Sequence, residues 1–270
     1  MINPTVFLHE LFRRLKSVLV WGFSVTLLVL FFFSFFTVYA GQAETLQALL
    51  NNFSKELRVA FGMEHIDLST VTGYAAFLFL YIQLCLAVQA ANYGFGMVSI
   101  EETELTADFL LTKPISRASI FASKLWVAVF SILLTDLIVS ASLFGSITLF
   151  RGDYEYDPNI ILLLLASLIP FQLFFFSVGL LVSLLVRRIR SVTPYAMGLA
   201  FGLYALGAFS GIFGDVKLEY ITPFKHFDAT YIVNHAAFNQ PLLLISVAVI
   251  LLSILFAFLL YLRRDIHAVS

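Results

Sequence analysis

Six runs of apolar residues constrain this chain more than any other feature of its sequence. Each run is long enough for an α-helix to cross a bilayer, which takes about 20 apolar residues. The chain is 60 % hydrophobic and only 12 % charged, whereas soluble domains carry about 25 % charged residues. The sequence therefore predicts an all-α polytopic membrane protein, forming one transmembrane domain over residues 1–270. The predicted spans are about 18–40, 73–98, 125–150, 159–186, 192–214 and 241–262.

The distribution of lysine and arginine predicts how the spans are oriented. Cytoplasmic flanks of membrane helices carry an excess of these residues. An arrangement with both termini inside places most of the 16 lysines and arginines on the inner side. The first run lies behind Arg13, Arg14 and Lys16, but it is too long for a signal peptide and is expected to be retained. The prediction is six spans with the N-terminus and the C-terminus in the cytoplasm.

Two segments outside the spans are predicted to form surface helices. Thr5–Ser17 has apolar residues on one side and cationic residues on the other, which is typical of a helix lying in the inner interface. Gly41–Thr72 repeats leucine and phenylalanine at helical spacing, which indicates an external helix. That helix could cover a pathway through the membrane or simply belong to a solvated loop, and the sequence favours neither.

The charged segment between the second and third spans, Ser99–Lys124, predicts a helix, a turn and a second helix on the inner side. Acidic residues line one side of its first part, and leucines and a phenylalanine line the other. Pro114 ends the first helix, because the residue before a proline disfavours the helical conformation. Ser116 is placed to cap a second helix that continues into the third span.

This segment resembles the coupling helix of permease subunits of ABC-2-type ATP-binding-cassette transporters. In that family a glutamate precedes a Gly-Thr pair, another glutamate and leucines follow, and a Pro-hydrophobic-Ser-Arg motif ends the pattern. Here Leu105 replaces the glycine, and Asp108 replaces the second glutamate. The residues carried over by this resemblance are Glu101, Glu102, Thr106, Asp108, Leu110, Leu111, Pro114, Ser116 and Arg117. The alternative interpretation is an ordinary charged loop with a proline turn.

The resemblance implies partners that this chain does not contain. The segment would dock onto a P-loop ATPase subunit, present in two copies, and ATP and Mg²⁺ would be bound there rather than by this chain. A second permease chain, identical or paralogous, would complete the pathway together with membrane lipid. The implied location is the plasma membrane of a prokaryotic cell, as a multi-pass protein.

A segment before the last span resembles the aromatic segment that ABC-2 permeases often carry at the outer mouth of the pathway. Thr222 is placed to cap a helix whose first residue is Pro223, and aromatic residues then recur on one face. The candidate outer-gate residues are Pro223, Phe224, Phe227 and Tyr231. An aromatic belt at the membrane interface, without a transport role, is the alternative.

Polar residues inside the spans are the candidates for a substrate route. Asp136 lies near mid-membrane, about 18 Å along a helix from Lys124, so it must be protonated, paired or hydrated. It could line the pathway or be a structural acid bonded to Gln83, Gln89, Asn92 or Gln172, and the structural role is slightly favoured. The candidate pathway residues are Asp136, Gln83, Gln89, Asn92 and Gln172.

Motifs for catalysis, metal binding and nucleic-acid binding are not found in the sequence. The chain lacks the G-x-x-x-x-G-K-[ST] phosphate loop, so it is not expected to be an enzyme. His226 and His235 lack the spacing of a metal site and are interpreted as surface residues. No basic stripe lies outside the membrane flanks, which argues against nucleic acid as a partner.

These observations predict the permease subunit of an ABC exporter, which forms the pathway by alternating access driven by a separate ATPase. The direction of transport comes from the family resemblance alone. A hydrophobic or amphipathic substrate is the leading hypothesis, although the sequence does not identify it. The alternative is a sensor or immunity module that binds a toxic peptide and signals through the same segment. A proton-driven transporter is less favoured, because the paired repeats of that class are not evident.

Overall fold

The computed structural model describes residues 3–42, 45, 48–49, 52–63, 66–103, 116–186, 189–213 and 216–263. Within these residues all regular secondary structure is helical. The helices are α1 (Pro4–Phe33), α2 (Phe36–Gly41), α3 (Lys55–Ala60), α4 (Val71–Thr103), α5 (Arg117–Phe150), α6 (Pro158–Leu185), α7 (Val192–Phe213), α8 (Val216–Glu219), α9 (Pro223–His226), α10 (Ala229–His235) and α11 (Gln240–Arg263). Six segments are long and apolar enough to cross a membrane, namely α1 with α2, and α4, α5, α6, α7 and α11. The predicted all-α class with six spans is confirmed.

The N-terminal segment is not a helix of its own. Asn3 caps α1 by accepting hydrogen bonds from the backbone N–H groups of Thr5 and Val6, and α1 then runs unbroken to Phe33. Proline occurs only in its first turn, where it does not interrupt the hydrogen bonds of a helix. The predicted boundary near Ser17 between an interfacial helix and the first span is therefore not found.

The core of the bundle is the contact between α4 and α6, which pack closely along much of their length. A Cβ atom at Gly94 would meet the carbonyl oxygen of Phe176 and would lie 2.8 Å from the backbone nitrogen of Leu180. A Cβ atom at Gly179 would lie 3.1 Å from the carbonyl oxygen of Ala91. The two glycines thus let the backbones of α4 and α6 approach each other, as small residues do between membrane helices.

The remaining spans surround this pair. Helix α1 packs along α5, α7 packs on α4, and α11 packs on α6. At one end of the bundle the backbone N–H of Asn3 donates to Ser123 Oγ over 2.9 Å, and Phe121 packs on Tyr261 near the end of α11. This end therefore contains the N-terminus, the end of α4, the start of α5 and the end of α11. It is the end that the sequence predicts to face the cytoplasm, and it is called the inner end.

The segment before the last span differs from its prediction. It forms two short helices, α9 and α10, rather than one. Asp228 lies between them and caps α10 by accepting hydrogen bonds from the backbone N–H groups of Thr230 and Tyr231. The hydroxyl of Thr222 does not cap α9 but donates to the carbonyl of Leu203 over 2.7 Å. The segment between α2 and α4 contains α3, which lies against α7.

Candidate functional site

Asp136 is bonded to Gln172, one of the amides that the sequence offered as partners. Asp136 on α5 is 6 % exposed, and its Oδ1 accepts a hydrogen bond from Gln172 Nε2 on α6. Asp136 Oδ2 and Gln172 Oε1 have no partner among the described residues. Both oxygens can accept, and a proton on the carboxyl group would make one of them a donor. The bond ties α5 to the central pair of helices.

The amides of α4 are bonded inside the same chain. Gln89 Nε2 donates to Tyr93 Oη and to Thr135 Oγ1, each over 2.9 Å. Gln83 Nε2 donates to the carbonyl of Phe227 over 2.9 Å, which links α4 to the segment between α9 and α10. Asn92 Nδ2 donates to the carbonyl one turn earlier in its own helix. Gln83 and Gln89 are thus bonded to neighbouring elements, and Asn92 is bonded within its own helix.

Two cavities contain residues from the predicted pathway and gate. The outer cavity, of about 140 Å³, is lined by Gln83, Phe224, Lys225 and Asp228 among others. The inner cavity, of about 390 Å³, lies between α1, α4, α5 and the start of α7 and includes Asn92. Asp136, Gln89 and Gln172 line neither cavity. The structure thus distributes the predicted pathway residues between the core and the two ends of the bundle.

The candidate gate residues lie mostly in the core. Phe224 and Phe227 are buried and pack edge-on against Phe171 of α6. Pro223 is also buried, whereas Tyr231 is half-buried and stacks on His235. Phe224 and Phe227 thus pack onto the bundle, and the gate role of these four residues stays a prediction.

His226 is not the surface residue that the sequence suggested. It is buried, and its Nδ1 lies 2.6 Å from Ser246 Oγ on α11. Burial lowers the pKa of His226, because the charged imidazolium would lose its hydration, while bonds to the backbone of Glu219 and Tyr220 oppose the shift. His226 therefore joins α9 to α11 as a neutral group. His235 is exposed, as predicted.

Most of the predicted coupling residues fall outside the described part of the chain. Thr106, Asp108, Leu110, Leu111 and Pro114 belong to residues 104–115, which the structure does not describe. Glu101 and Glu102 lie in the last turn of α4. Ser116 caps α5 as predicted, because its Oγ accepts a hydrogen bond from the backbone N–H of Ser119, and Arg117 is the first residue of that helix.

The sequence analysis missed an exposed face on α7. Gly198 and Gly202 lie one turn apart. Among the described residues, no atom outside their own stretch of helix lies within 4 Å of the position where a Cβ would lie. Met197, Phe201 and Phe209 continue the same exposed side. The signal was present in the sequence as Gly198-x-x-x-Gly202, a spacing that allows close helix pairing in membranes. Exposure of this face, however, follows from the tertiary structure.

The fold and the arrangement of its helices define a multi-pass membrane protein with a tightly packed central helix pair. The chain matches the ABC-2 family transporter protein family over residues 5–266 and belongs to that family. It is a permease subunit, the membrane component of a transporter. No individual curated protein matches it.

Proposed function

We propose that residues 1–270 act as one permease domain and form part of the substrate pathway of an ABC exporter. ATP is bound and hydrolysed by a separate P-loop ATPase subunit, present in two copies, that contacts the segment between α4 and α5. The inner end faces the cytoplasm of a prokaryotic cell, since most lysines and arginines flank that end. Membership of the ABC-2 family supports the transport role.

The observation that carries this proposal is the position of α4. This helix leads directly into residues 104–115, and it is the span with the largest share of residues buried inside the chain. Its close contact with α6 leaves little room for the two backbones to slide independently. A displacement of the inner segment by the ATPase would therefore move α4 and α6 together relative to the outer helices. Such a movement changes which end of the pathway is open.

A second permease chain, identical or paralogous, supplies the other wall of the pathway. Helix α7 has the lowest mean hydropathy of the six spans. Even so, only 17 % of the residues in its apolar stretch are buried inside its own chain. Helices α1 and α11 are also largely exposed but are much more apolar, which suits contact with lipid. The exposed face of α7, formed by Met197, Gly198, Phe201 and Gly202, is therefore proposed to face the second chain and the pathway.

Charge reversal in the coupling segment tests this proposal. The variant Glu102→Lys with Asp108→Lys should insert normally but lose association with the ATPase and lose transport, because the acidic surface that meets the partner is reversed. The matched control is Asp153→Lys with Glu155→Lys, which reverses two exposed acids in the loop between α5 and α6, at the other end of the bundle. Copurification of the ATPase and ATP-driven transport are the readouts.

The outcomes separate the candidate functions. Loss of both readouts in the coupling variant alone supports the exporter. Unchanged association and transport in that variant would show that the segment is an ordinary loop. Binding of a toxic peptide by a complex that never transports it would favour the sensor or immunity module instead.

A further inference from the structure

The inner cavity has an unusual concentration of cationic side chains. It is enclosed by one face of α1, by α4, by the start of α5 and by the first residues of α7. Arg13, Arg14 and Lys124 line it, and Glu10 is the acidic side chain among its described lining residues. The described lining residues therefore carry a net positive charge. Its volume of about 390 Å³ lies within the range of about 300–1,000 Å³ that is usual for small-molecule sites.

Two of these cations are held in place by the fold. Lys124 is 4 % exposed, and its Nζ donates to the carbonyl of Met97 on α4 over 3.0 Å. The guanidinium of Arg14 lies over the ring of Tyr93, 4.9 Å from its centroid, in a cation–π contact. The ammonium and guanidinium groups thus reach the cavity from different helices. Charged groups held this way on two sides suit a ligand with several anionic oxygens.

The cavity lining also includes apolar side chains. Trp21 lines it about 10 Å along α1 from Arg14, at 1.5 Å per residue, and Val192 lines it as the first residue of α7. Val20 lies two turns beyond Arg13 on the same side of α1 and is exposed on the outside of the bundle, whereas Leu19 and Phe23 are exposed on the side of α1 away from the cavity. Tryptophan is enriched where headgroups meet acyl chains. A ligand with an anionic head and apolar chains matches this arrangement, with its chains lying along α1.

We propose that the inner cavity binds the phosphate headgroup of an anionic phospholipid. The cations from α1 and α5 contact the phosphate oxygens, and the acyl chains lie against the exposed apolar surface of α1. Basic pockets between membrane helices are suited to such headgroups. A bound lipid would bridge α1, α4 and α5 at the inner end, and it would stabilise the folded chain by an amount that grows with the logarithm of lipid concentration above its Kd. The inference does not depend on what the permease transports.

The test uses the purified full chain in detergent, titrated with phosphatidylglycerol, phosphatidylcholine or inorganic phosphate. Native mass spectrometry measures lipid binding, and the thermal unfolding midpoint measures stabilisation. Phosphatidylglycerol should bind and raise the midpoint. Arg14→Gln with Lys124→Gln should weaken its binding by about tenfold or more, because charge-assisted hydrogen bonds are lost. The control, Arg151→Gln with Lys217→Gln, removes one cation at the end of α5 and one from α8, both at the other end of the bundle, and should leave binding unchanged.

A variant at an exposed residue tests the same site in a chain that still folds. Arg13 is exposed at the cavity, so Arg13→Glu should preserve the fold and still weaken phosphatidylglycerol binding. Equal binding of phosphatidylcholine would overturn the proposal, as would equal affinity in Arg13→Glu and the parent chain. Stabilisation by inorganic phosphate that equals that by phosphatidylglycerol would also overturn it, since the site would then recognise a free anion rather than a lipid.

Discussion

Helices α4 and α7 carry the same kinds of residue but use them in opposite ways. Both contain glycines among apolar residues. In α4 the glycine at position 94 lies against the backbone of α6, and the amide of Gln89 is bonded to Thr135 of α5. In α7 Gly198 and Gly202 have open space beside them. Small residues in a membrane helix therefore mark either internal packing or an external contact, and only the neighbours in the fold distinguish the two.

Helix α11 shows why exposure alone does not identify the face that meets a second chain. It exposes Leu244, Leu251 and Leu255, and it has the highest mean hydropathy of the six spans. Such a surface is satisfied by lipid, because acyl chains are as apolar as leucine. Helix α7 combines exposure with low hydropathy and exposed glycines, and this combination favours contact with protein or with a water-filled pathway.

The largest expected effect on stability comes from placing a leucine at Gly94, and the matched change at Gly198 is its control. Gly94→Leu should destabilise the bundle by about 3 kcal/mol or more, because backbone atoms of α6 cannot rotate out of the way. Gly198→Leu should leave the thermal unfolding midpoint of the monomer close to that of the parent, since no atom of another described element lies within 4 Å of the added Cβ. It should instead reduce pairing of permease chains. Equal destabilisation by both changes would contradict the distinction between the two helices.

A smaller effect is expected at Asp136, whose bond to Gln172 is another internal contact of the core. Asp136→Leu should lower stability by about 0.6 kcal/mol and at most about 2 kcal/mol, the range measured for hydrogen bonds between membrane helices. Asp136→Asn keeps the size and a hydrogen-bonding group. It should therefore leave stability close to that of the parent and ATP-driven transport within a few-fold of the parent rate. Thermal unfolding and transport rates are measured on both variants. Normal stability with abolished transport in Asp136→Asn would assign the carboxyl group to the pathway instead.

The sequence predicted the spans well because hydropathy responds directly to the requirement for burial in lipid. It also predicted that Asp136 needs a partner, since an isolated charge in a span is costly, and Gln172 was among the amides considered. It could not choose between those amides, because the choice depends on how α5 and α6 are rotated. Likewise the N-terminal helix was divided too early, since an amphipathic pattern does not reveal whether the helix continues.

Other features required the tertiary structure. The aromatic residues Phe224 and Phe227 have the same spacing whether they form a gate or pack into a core, and their contacts with Phe171 become visible only in the tertiary structure. His226 looks like a loop histidine until the fold brings Ser246 beside it. The inner cavity combines residues that are far apart in sequence, such as Arg14 and Lys124, so its charge could not be predicted from any one segment.

Photocrosslinking tests most directly the claim that the exposed face of α7 meets a second permease chain. A benzoylphenylalanine is placed at Phe201 on α7 or at Leu251 on α11, both exposed in the single chain, and the assembled transporter is irradiated. We predict a covalent adduct of two permease chains from position 201 and none from position 251, where lipid is the neighbour. An adduct from position 251 without one from position 201 would contradict the account.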